Sequence, residues 1–191
     1  MGRIIGAGLL GGLLIFLWGF VSHMVLPLGM MGMVEVDDAK ETAVIQTLGA
    51  NFDKSGIYML PFMTEAEWND EAKSKAFGEY AATVPYAFVV YQPKGEDTNA
   101  AFMRMLGVQF GSNVLGALLA AIIASFLVGS YLQRVVLVTM MGVFAWVAIS
   151  VPYWNWYRFP LDFTLAALIE HGVGWLIAGL AIAWLVKPRY A

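Results

Sequence analysis

Four stretches of this chain are long and apolar enough to cross a membrane, and no other feature restricts its fold as strongly. A bilayer core about 30 Å thick needs about 20 mostly apolar residues per helix. We predict spans at about 4–26, 108–132, 135–151 and 163–186, each bounded by charge, proline or aromatic residues. Only 13% of the residues are charged, against roughly a quarter in soluble domains. The pattern therefore predicts a membrane all-α protein with a four-transmembrane-helix bundle.

The segment between the first and second spans has a different composition. It holds twelve of the fourteen acidic residues, and such an excess of charge cannot lie in hydrocarbon. We therefore expect a small acidic α+β domain outside the membrane over residues 28–100. A first transmembrane helix at 1–27 precedes it, and the remaining three helices occupy 101–191.

Two helices are predicted in the acidic segment from their capping residues. Asp37 or Asp38 can cap the first helix. Thr64 opens the second helix, and Glu67 three residues later has the spacing of a capping box. A stripe of apolar residues at four-residue intervals extends this second helix as far as Tyr80.

Two short strands complete the predicted domain. They lie at 56–61 and 85–91 and are expected to pair with each other. Asp97 is the expected cap of a helix that continues without proline into the second span. A domain this small buries little apolar surface, so we expect it to depend on the helices or on another protein for stability.

The positive charges near the span ends predict the orientation. If the helices alternate in direction, four basic residues share one side: Arg3, Arg134, Lys187 and Arg189. Fewer basic residues lie on the opposite side, so the first side is expected to be the cytoplasm. We predict a bacterial inner-membrane protein with both termini cytoplasmic and the acidic domain periplasmic. The first span is interpreted as an uncleaved signal anchor, because it is longer than a signal peptide and lacks a cleavage site.

Small residues recur at four-residue intervals on three spans. Helices in lipid associate through close backbone contact at such residues, because lipid tails provide no hydrophobic driving force. The interpretation leaves open whether these stripes pack within the bundle or dock a neighbouring subunit. The residues are Gly8 and Gly12, then Ser112, Gly116, Ala120 and Ala124, and finally Gly174 and Ala178.

Aromatic residues follow the third span in a dense cluster. Tyr153, Trp154, Trp156 and Tyr157 are expected to anchor the chain at the membrane interface, where amphipathic rings accumulate. The alternative is a surface for a flat apolar ligand such as a quinone or a carotenoid.

Four polar residues are predicted to cluster inside the half of the bundle nearer the acidic domain. They are His23, Asn113, Glu170 and His171. Ionisable groups within a span are costly and indicate a functional site by default. Three interpretations remain open: a hydrogen-bonded network that fixes helix register, ligation of haem b or a chlorophyll-type pigment by His171 or His23, and proton or ion passage through Glu170.

The sequence predicts no catalytic residues and no metal site. It has no cysteine and none of the common hydrolase, nucleotide-binding or metalloprotease motifs. We therefore expect a non-catalytic accessory subunit of a larger inner-membrane complex, of an energy-converting kind, photosynthetic or respiratory. The alternatives are a haem- or pigment-binding protein and a small transporter.

The expected partners follow from the same features. They are the lipid bilayer, other membrane subunits and a basic soluble protein that meets the acidic domain. The net charge of −3 gives no reason to expect nucleic acid.

Overall fold

The computed structural model describes residues 1–187, which are mostly helical. Arg189, used above for the orientation, lies outside this range. The helices are α1 Gly2–Phe20, α2 Asp38–Asn51, α3 Glu65–Trp68, α4 Glu71–Ala81, α5 Thr98–Phe126, α6 Tyr131–Tyr157 and α7 Leu161–Leu185. The strands are β1 Gly56–Leu60 and β2 Ala87–Tyr91. Four helices are long and apolar enough to cross a membrane, as predicted: α1 with the turn that follows it, α5, α6 and α7.

The chain forms two compact units. Met1–Val34 and the chain from Asp97 onward make up one, which we call the helical unit. Glu35–Glu96 makes up the other, which we call the acidic unit because it holds eleven acidic and five basic residues.

Two span boundaries differ from the prediction. The third span was expected to end before Pro152, but α6 continues through this proline to Tyr157 and ends at Arg158, which has a left-handed φ of 56°. Proline is tolerated inside membrane helices, because neighbouring groups can satisfy the freed carbonyl. The second span ends earlier than predicted, at Phe126, since Ser130 and Gln133 form a capping box that begins α6.

The buried core of the helical unit lies towards one end of the bundle, where α1 begins and α7 ends. We call this the closed end and the opposite one the open end. Helix α1 packs against α5 and α7, and α7 also packs against α6, whereas α5 and α6 meet over a short stretch. Most core residues are alanines, whose small size permits close backbone approach. The complete core consists of Ala7, Ala117, Ala120, Ala121, Ala124, Val138, Ala178, Ile182 and Val186.

The acidic unit contains the predicted two-stranded sheet. Strands β1 and β2 are antiparallel, with Gly56 opposite Tyr91 and Leu60 opposite Ala87. The ring of Phe52 stacks on Tyr58 with centroids 3.9 Å apart. No residue of Glu35–Glu96 is buried. The unit therefore has local structure and half-buried residues, but no fully buried core.

The second helix of the acidic unit is shorter than predicted. Thr64 and Glu67 form the expected capping box, but α3 ends at Trp68 and α4 begins at Glu71. The side chain of Asp70 accepts hydrogen bonds from the next amides, Ala72 N among them at 3.1 Å, and so caps a new helix. A cap residue inside an apolar stripe overrides the periodicity, because its carboxylate competes for backbone donors. The caps predicted at Asp37 and Asp97 are present.

Candidate functional site: a histidine and a glutamate between α1 and α7

The site begins at the turn that ends α1. Residues 21–25 form a π-helical turn, closed by a hydrogen bond of 2.9 Å from Leu26 N to Val21 O. Leu26 is extended because it precedes Pro27, and the helix cannot continue beyond it. A π turn accommodates one more residue than an α turn and is common at functional sites. Here it directs two consecutive polar residues, Ser22 and His23, towards the same carboxyl group on α7.

Glu170 carries that carboxyl group, and three residues of α1 and its terminal π turn contact Glu170. Its Oε1 lies 3.2 Å from Ser22 Oγ and 3.2 Å from His23 Nδ1. The indole Nε1 of Trp18 donates to the backbone oxygen of Glu170 at 3.0 Å. Ser22 is fully buried. These contacts join α1 to α7 towards the open end of the bundle, beyond the core.

The position of the imidazole hydrogen follows from the oxygens around His23 Nδ1. Besides Glu170 Oε1, the backbone oxygen of Gly19 lies 3.1 Å away and Ser22 Oγ lies 2.9 Å away. A carbonyl and a carboxylate only accept hydrogen bonds, so a lone pair on Nδ1 would face two acceptors. Ser22 Oγ can donate its hydrogen to Glu170 Oε1 and so can accept as well. We therefore assign the imidazole hydrogen to Nδ1, and Nε2 points away from the carboxyl group.

Two glycines make room for these side chains. A Cβ on Gly29, in the short helical turn Pro27–Met30, would lie 2.5 Å from His23 Cδ2. A Cβ on Gly174 would lie 2.9 Å from Trp18 Cδ1. The turn after Pro27 thus folds back against the imidazole.

The pair is only partly shielded. The side chain of His23 is 50% exposed and that of Glu170 is 32% exposed. The neighbouring side chains on α1 and its terminal turn, Phe20, Met24 and Val25, are apolar and exposed. In a membrane-spanning chain, such an arrangement presents a polar group within an apolar surface.

The other two residues of the predicted cluster lie outside this site. His171 Nδ1 is 2.8 Å from the backbone oxygen of Ala167 on its own helix. Asn113 accepts a hydrogen bond from Gln109 at 3.0 Å. Asn113 also lies deeper than predicted, because its neighbour Val114 packs against Gly12. Gly12 precedes Ser22 by ten residues, or about 15 Å along a helix.

The predicted packing glycines of α1 lie against another helix of the same chain. A Cβ on Gly8 would lie 2.9 Å from Leu118 Cα, and one on Gly12 would overlap the backbone of Val114. These glycines allow α1 and α5 to approach each other closely.

The stripe on α5 is divided between interior and surface. A Cβ on Gly116 would lie 3.3 Å from the ring of Trp175, whereas Ser112 is exposed. The remaining predicted packing residues are buried: Ala120, Ala124, Gly174 and Ala178.

The aromatic residues predicted to follow the third span lie in the last turns of α6, at the open end. The ring centroid of Tyr153 is 5.4 Å from that of Tyr157 and 5.3 Å from that of Phe159. Trp154 and Trp156 are exposed. Their roles as interfacial anchors or as a ligand surface stay predictions.

The site around His23 is built by Trp18, Ser22 and Gly29, none of which was predicted from the sequence. The available signal was Ser22 beside His23 in an apolar span, followed by a proline and a glycine. Gly107 and Gly111 were not predicted either, although their four-residue spacing matches a known helix-association pattern.

Chemically, the site is an imidazole held by a carboxylate through Nδ1, with Nε2 free to accept a hydrogen bond. Among residues 1–187, no three His, Asp or Glu side chains are grouped as metal ligands would be. The chain matches no protein-family model, no curated protein and no solved structure.

Proposed function

We propose that this chain is a non-catalytic accessory subunit of a larger membrane complex, and that its acidic unit is completed by another protein. The observation that carries the proposal is the absence of any buried residue in Glu35–Glu96. Folding of a segment costs about 1–2 kcal/mol per residue in backbone entropy, and burial of apolar surface normally offsets this cost. Since no residue of this unit is fully buried, a partner that covers its exposed apolar groups supplies the missing burial.

The sheet offers the clearest surface for such a partner. Ile57 and Val90 lie directly opposite each other on β1 and β2. They are 67% and 68% exposed. Burying a side chain of this size contributes about 1.5–3 kcal/mol. Covering the pair would therefore stabilise both the hairpin and the complex.

A second surface on the helical unit supports the proposal. Gly107 and Gly111 on α5 are exposed, and no atom lies within 4 Å of a Cβ built on either. Unlike Gly8 and Gly12, these glycines do not pack against other parts of residues 1–187. Two glycines four residues apart allow a partner helix to approach the backbone closely.

The setting of the complex is also part of the proposal. We place the chain in a bacterial inner membrane, with the termini cytoplasmic and the acidic unit periplasmic between the first two spans. The basic residues near the closed end support this orientation. The acidic surface suits a basic soluble partner, and an energy-converting complex would provide one. High salt would weaken that contact.

The test is the native mass of the tagged chain after gentle extraction from its own membranes. We expect a stoichiometric complex far larger than the 20.9 kDa chain. The double substitution of Ile57→Thr and Val90→Thr retains β-branched side chains but removes apolar contact, so it should release the chain from the complex. Val147→Thr, at an exposed position on α6, is the matched control and should leave the complex intact.

The glycine surface is tested in the same assay. Gly107→Leu should also weaken the complex, whereas Gly172→Leu, at another open helical glycine, should not. A chain that runs alone, or as a small homo-oligomer, would contradict the proposal.

One observation favours a second candidate function, the binding of haem b or a chlorophyll-type pigment. The backbone oxygen of Ala167 holds His171 Nδ1 at 2.8 Å. This contact orients the ring and leaves Nε2 available as an axial ligand. The purified chain should then absorb visible light, and His171→Ala should abolish the absorbance. A colourless wild-type chain would contradict this candidate.

A further inference from the structure

When the imidazole of His23 is neutral and its hydrogen is on Nδ1, the other nitrogen, Nε2, has no hydrogen. It can then accept a hydrogen bond but cannot donate one. Nδ1 donates towards Gly19 O and Glu170 Oε1, at 3.1 Å and 3.2 Å. The lone pair of the neutral ring is therefore on Nε2. Within residues 1–187, no group hydrogen-bonds to Nε2. A ligand that pairs with Nε2 must supply an O–H or N–H group.

The carboxylate behind the ring selects among such ligands. A carboxylate that accepts the Nδ1 hydrogen makes the imidazole a better acceptor at Nε2. An ionised carboxylate also disfavours phosphate and carboxylate headgroups nearby. A neutral hydroxyl donor meets both conditions, and so does a lipid ammonium group, so binding is compared in two lipids below.

The surroundings indicate where the ligand comes from. Phe20, Met24 and Val25 are exposed apolar side chains on the same helix end, and Met24 is 70% exposed. Gly29 lies against one edge of the imidazole, where a side chain would displace the ring. The ligand therefore needs an apolar body that dissolves in the membrane and a small hydroxyl headgroup.

We propose that His23, positioned by Glu170 and Ser22, binds the hydroxyl group of a lipid-soluble hydroquinone. The hydroxyl donates a hydrogen bond to Nε2, and the apolar ring and tail lie along the exposed residues of α1. The oxidised quinone has only carbonyl acceptors and cannot make this bond. The site is therefore selective for the reduced form. This assignment does not depend on the accessory-subunit proposal.

The first experiment measures binding to the purified full chain in phosphatidylcholine nanodiscs, whose headgroups have no N–H donor. A decyl-substituted hydroquinone should bind at least about tenfold more tightly than the matching quinone. The quinone leaves Nε2 without a hydrogen bond, and loss of one such bond lowers the affinity by roughly that factor. His23→Phe should remove this selectivity, and Glu170→Gln should reduce it several-fold. Gln109→Phe, at an exposed position on α5 outside the site, is the control and should retain it. Equal affinity for both redox forms would overturn the proposal.

A second measurement needs no variant at the site, so it remains decisive if His23→Phe does not fold. The chain has two histidines, so ¹⁵N-histidine NMR with His171→Phe as an assignment aid resolves His23. The hydroquinone should shift the Nε2 signal of His23 and leave the directly bonded hydrogen on Nδ1. The quinone should leave the Nε2 signal unchanged, and an unshifted signal with hydroquinone would overturn the proposal.

A lipid ammonium group is the competing source of an N–H donor. Repeating both measurements in phosphatidylethanolamine nanodiscs separates the two. If this lipid alone shifts the Nε2 signal of His23 and prevents hydroquinone binding, the site belongs to the lipid and the hydroquinone assignment is wrong. Unchanged hydroquinone binding in this lipid would support it.

Discussion

The helical unit and the acidic unit use apolar residues in different ways. The helical unit has a core made mostly of alanines, and many of its large apolar side chains are exposed. The acidic unit has large apolar side chains as well, Ile57, Trp68 and Val90 among them, but buries none of its residues. In lipid, exposed apolar groups carry no penalty, and close packing of small residues holds helices together. In water the same exposure is costly. The exposed apolar side chains of the helical unit would therefore carry no penalty in lipid, whereas those of the acidic unit would be costly in water.

The largest expected effect comes from filling the close contact between α1 and α5. Gly12→Leu would place a side chain into the backbone of Val114, so we expect a loss of about 3 kcal/mol or more. Gly6→Leu on the same helix is the matched control, because nothing lies within 4 Å of a Cβ at that position. Thermal unfolding in detergent, followed by tryptophan fluorescence, measures both. Equal melting temperatures would show that glycine packing does not hold the helical unit.

The next prediction concerns the acidic unit by itself. A peptide of residues 35–96 should be largely unfolded in water, because it has no buried residue to offset its conformational entropy. Its amide NMR spectrum should show the narrow dispersion of an unfolded chain. The same segment in the purified complex should be protected from hydrogen exchange. A well-dispersed spectrum would show that the free peptide folds by itself, and would contradict the conclusion that the acidic unit needs a partner.

A smaller effect is expected at the contact between α1 and α7. Trp18→Phe removes the hydrogen bond of 3.0 Å to the backbone oxygen of Glu170, which should cost about 1 kcal/mol. Trp184→Phe, at an exposed position on α7, should have little effect on the unfolding temperature. If both variants melt alike, the indole hydrogen bond does not contribute to the joint between the helices.

The smallest effect is the pH dependence of two helix caps in the acidic unit. Lys40, through its side chain and its backbone N–H, holds the pKa of Asp37 below its ordinary value. The backbone N–H and hydroxyl of Thr64 do the same for the pKa of Glu67. A lowered pKa in the folded state means that each cap is stabilising above the unfolded pKa, near 4. That contribution is lost as the pH falls through the lowered value.

Hydrogen exchange tests these caps. Protection factors of the amides of Lys40 and Thr64, which donate to the two carboxylates, should fall between pH 6 and pH 3, and Asp37→Asn and Glu67→Gln should flatten the dependence. Both carboxylates are exposed to solvent, so the change should be small and should shrink in high salt. Protection that increases towards pH 3 would contradict the sign of the two shifts.

Much of the fold could be predicted from local features of the sequence. The four spans follow from composition over about 20 residues, and the caps at Asp37, Thr64 and Asp97 follow from side chains next to the amides they bind. The prediction of one continuous helix from Thr64 to Tyr80 was wrong, because Asp70 caps a new helix within the apolar stripe. The prediction that the third span ends before Pro152 was also wrong, because α6 continues through this proline.

The candidate site was only partly predictable. His23 and Glu170 were identified because ionisable residues in apolar spans are unusual. Their pairing was not determined by spacing, since His23 and Glu170 are 147 positions apart. The prediction also grouped Asn113 with them by estimated depth, and the structure separates it through the contact of Val114 with Gly12.

The sequence by itself determined which parts of this protein can lie in lipid and which cannot. Transfer between water and hydrocarbon depends on the side chains of each segment and hardly on their neighbours in space. Only the tertiary structure decided that the π turn directs Ser22 and His23 to one carboxyl oxygen, and that no residue of the acidic unit is fully buried. These features depend on distances of about 3 Å between helices, and such distances follow from how whole surfaces pack.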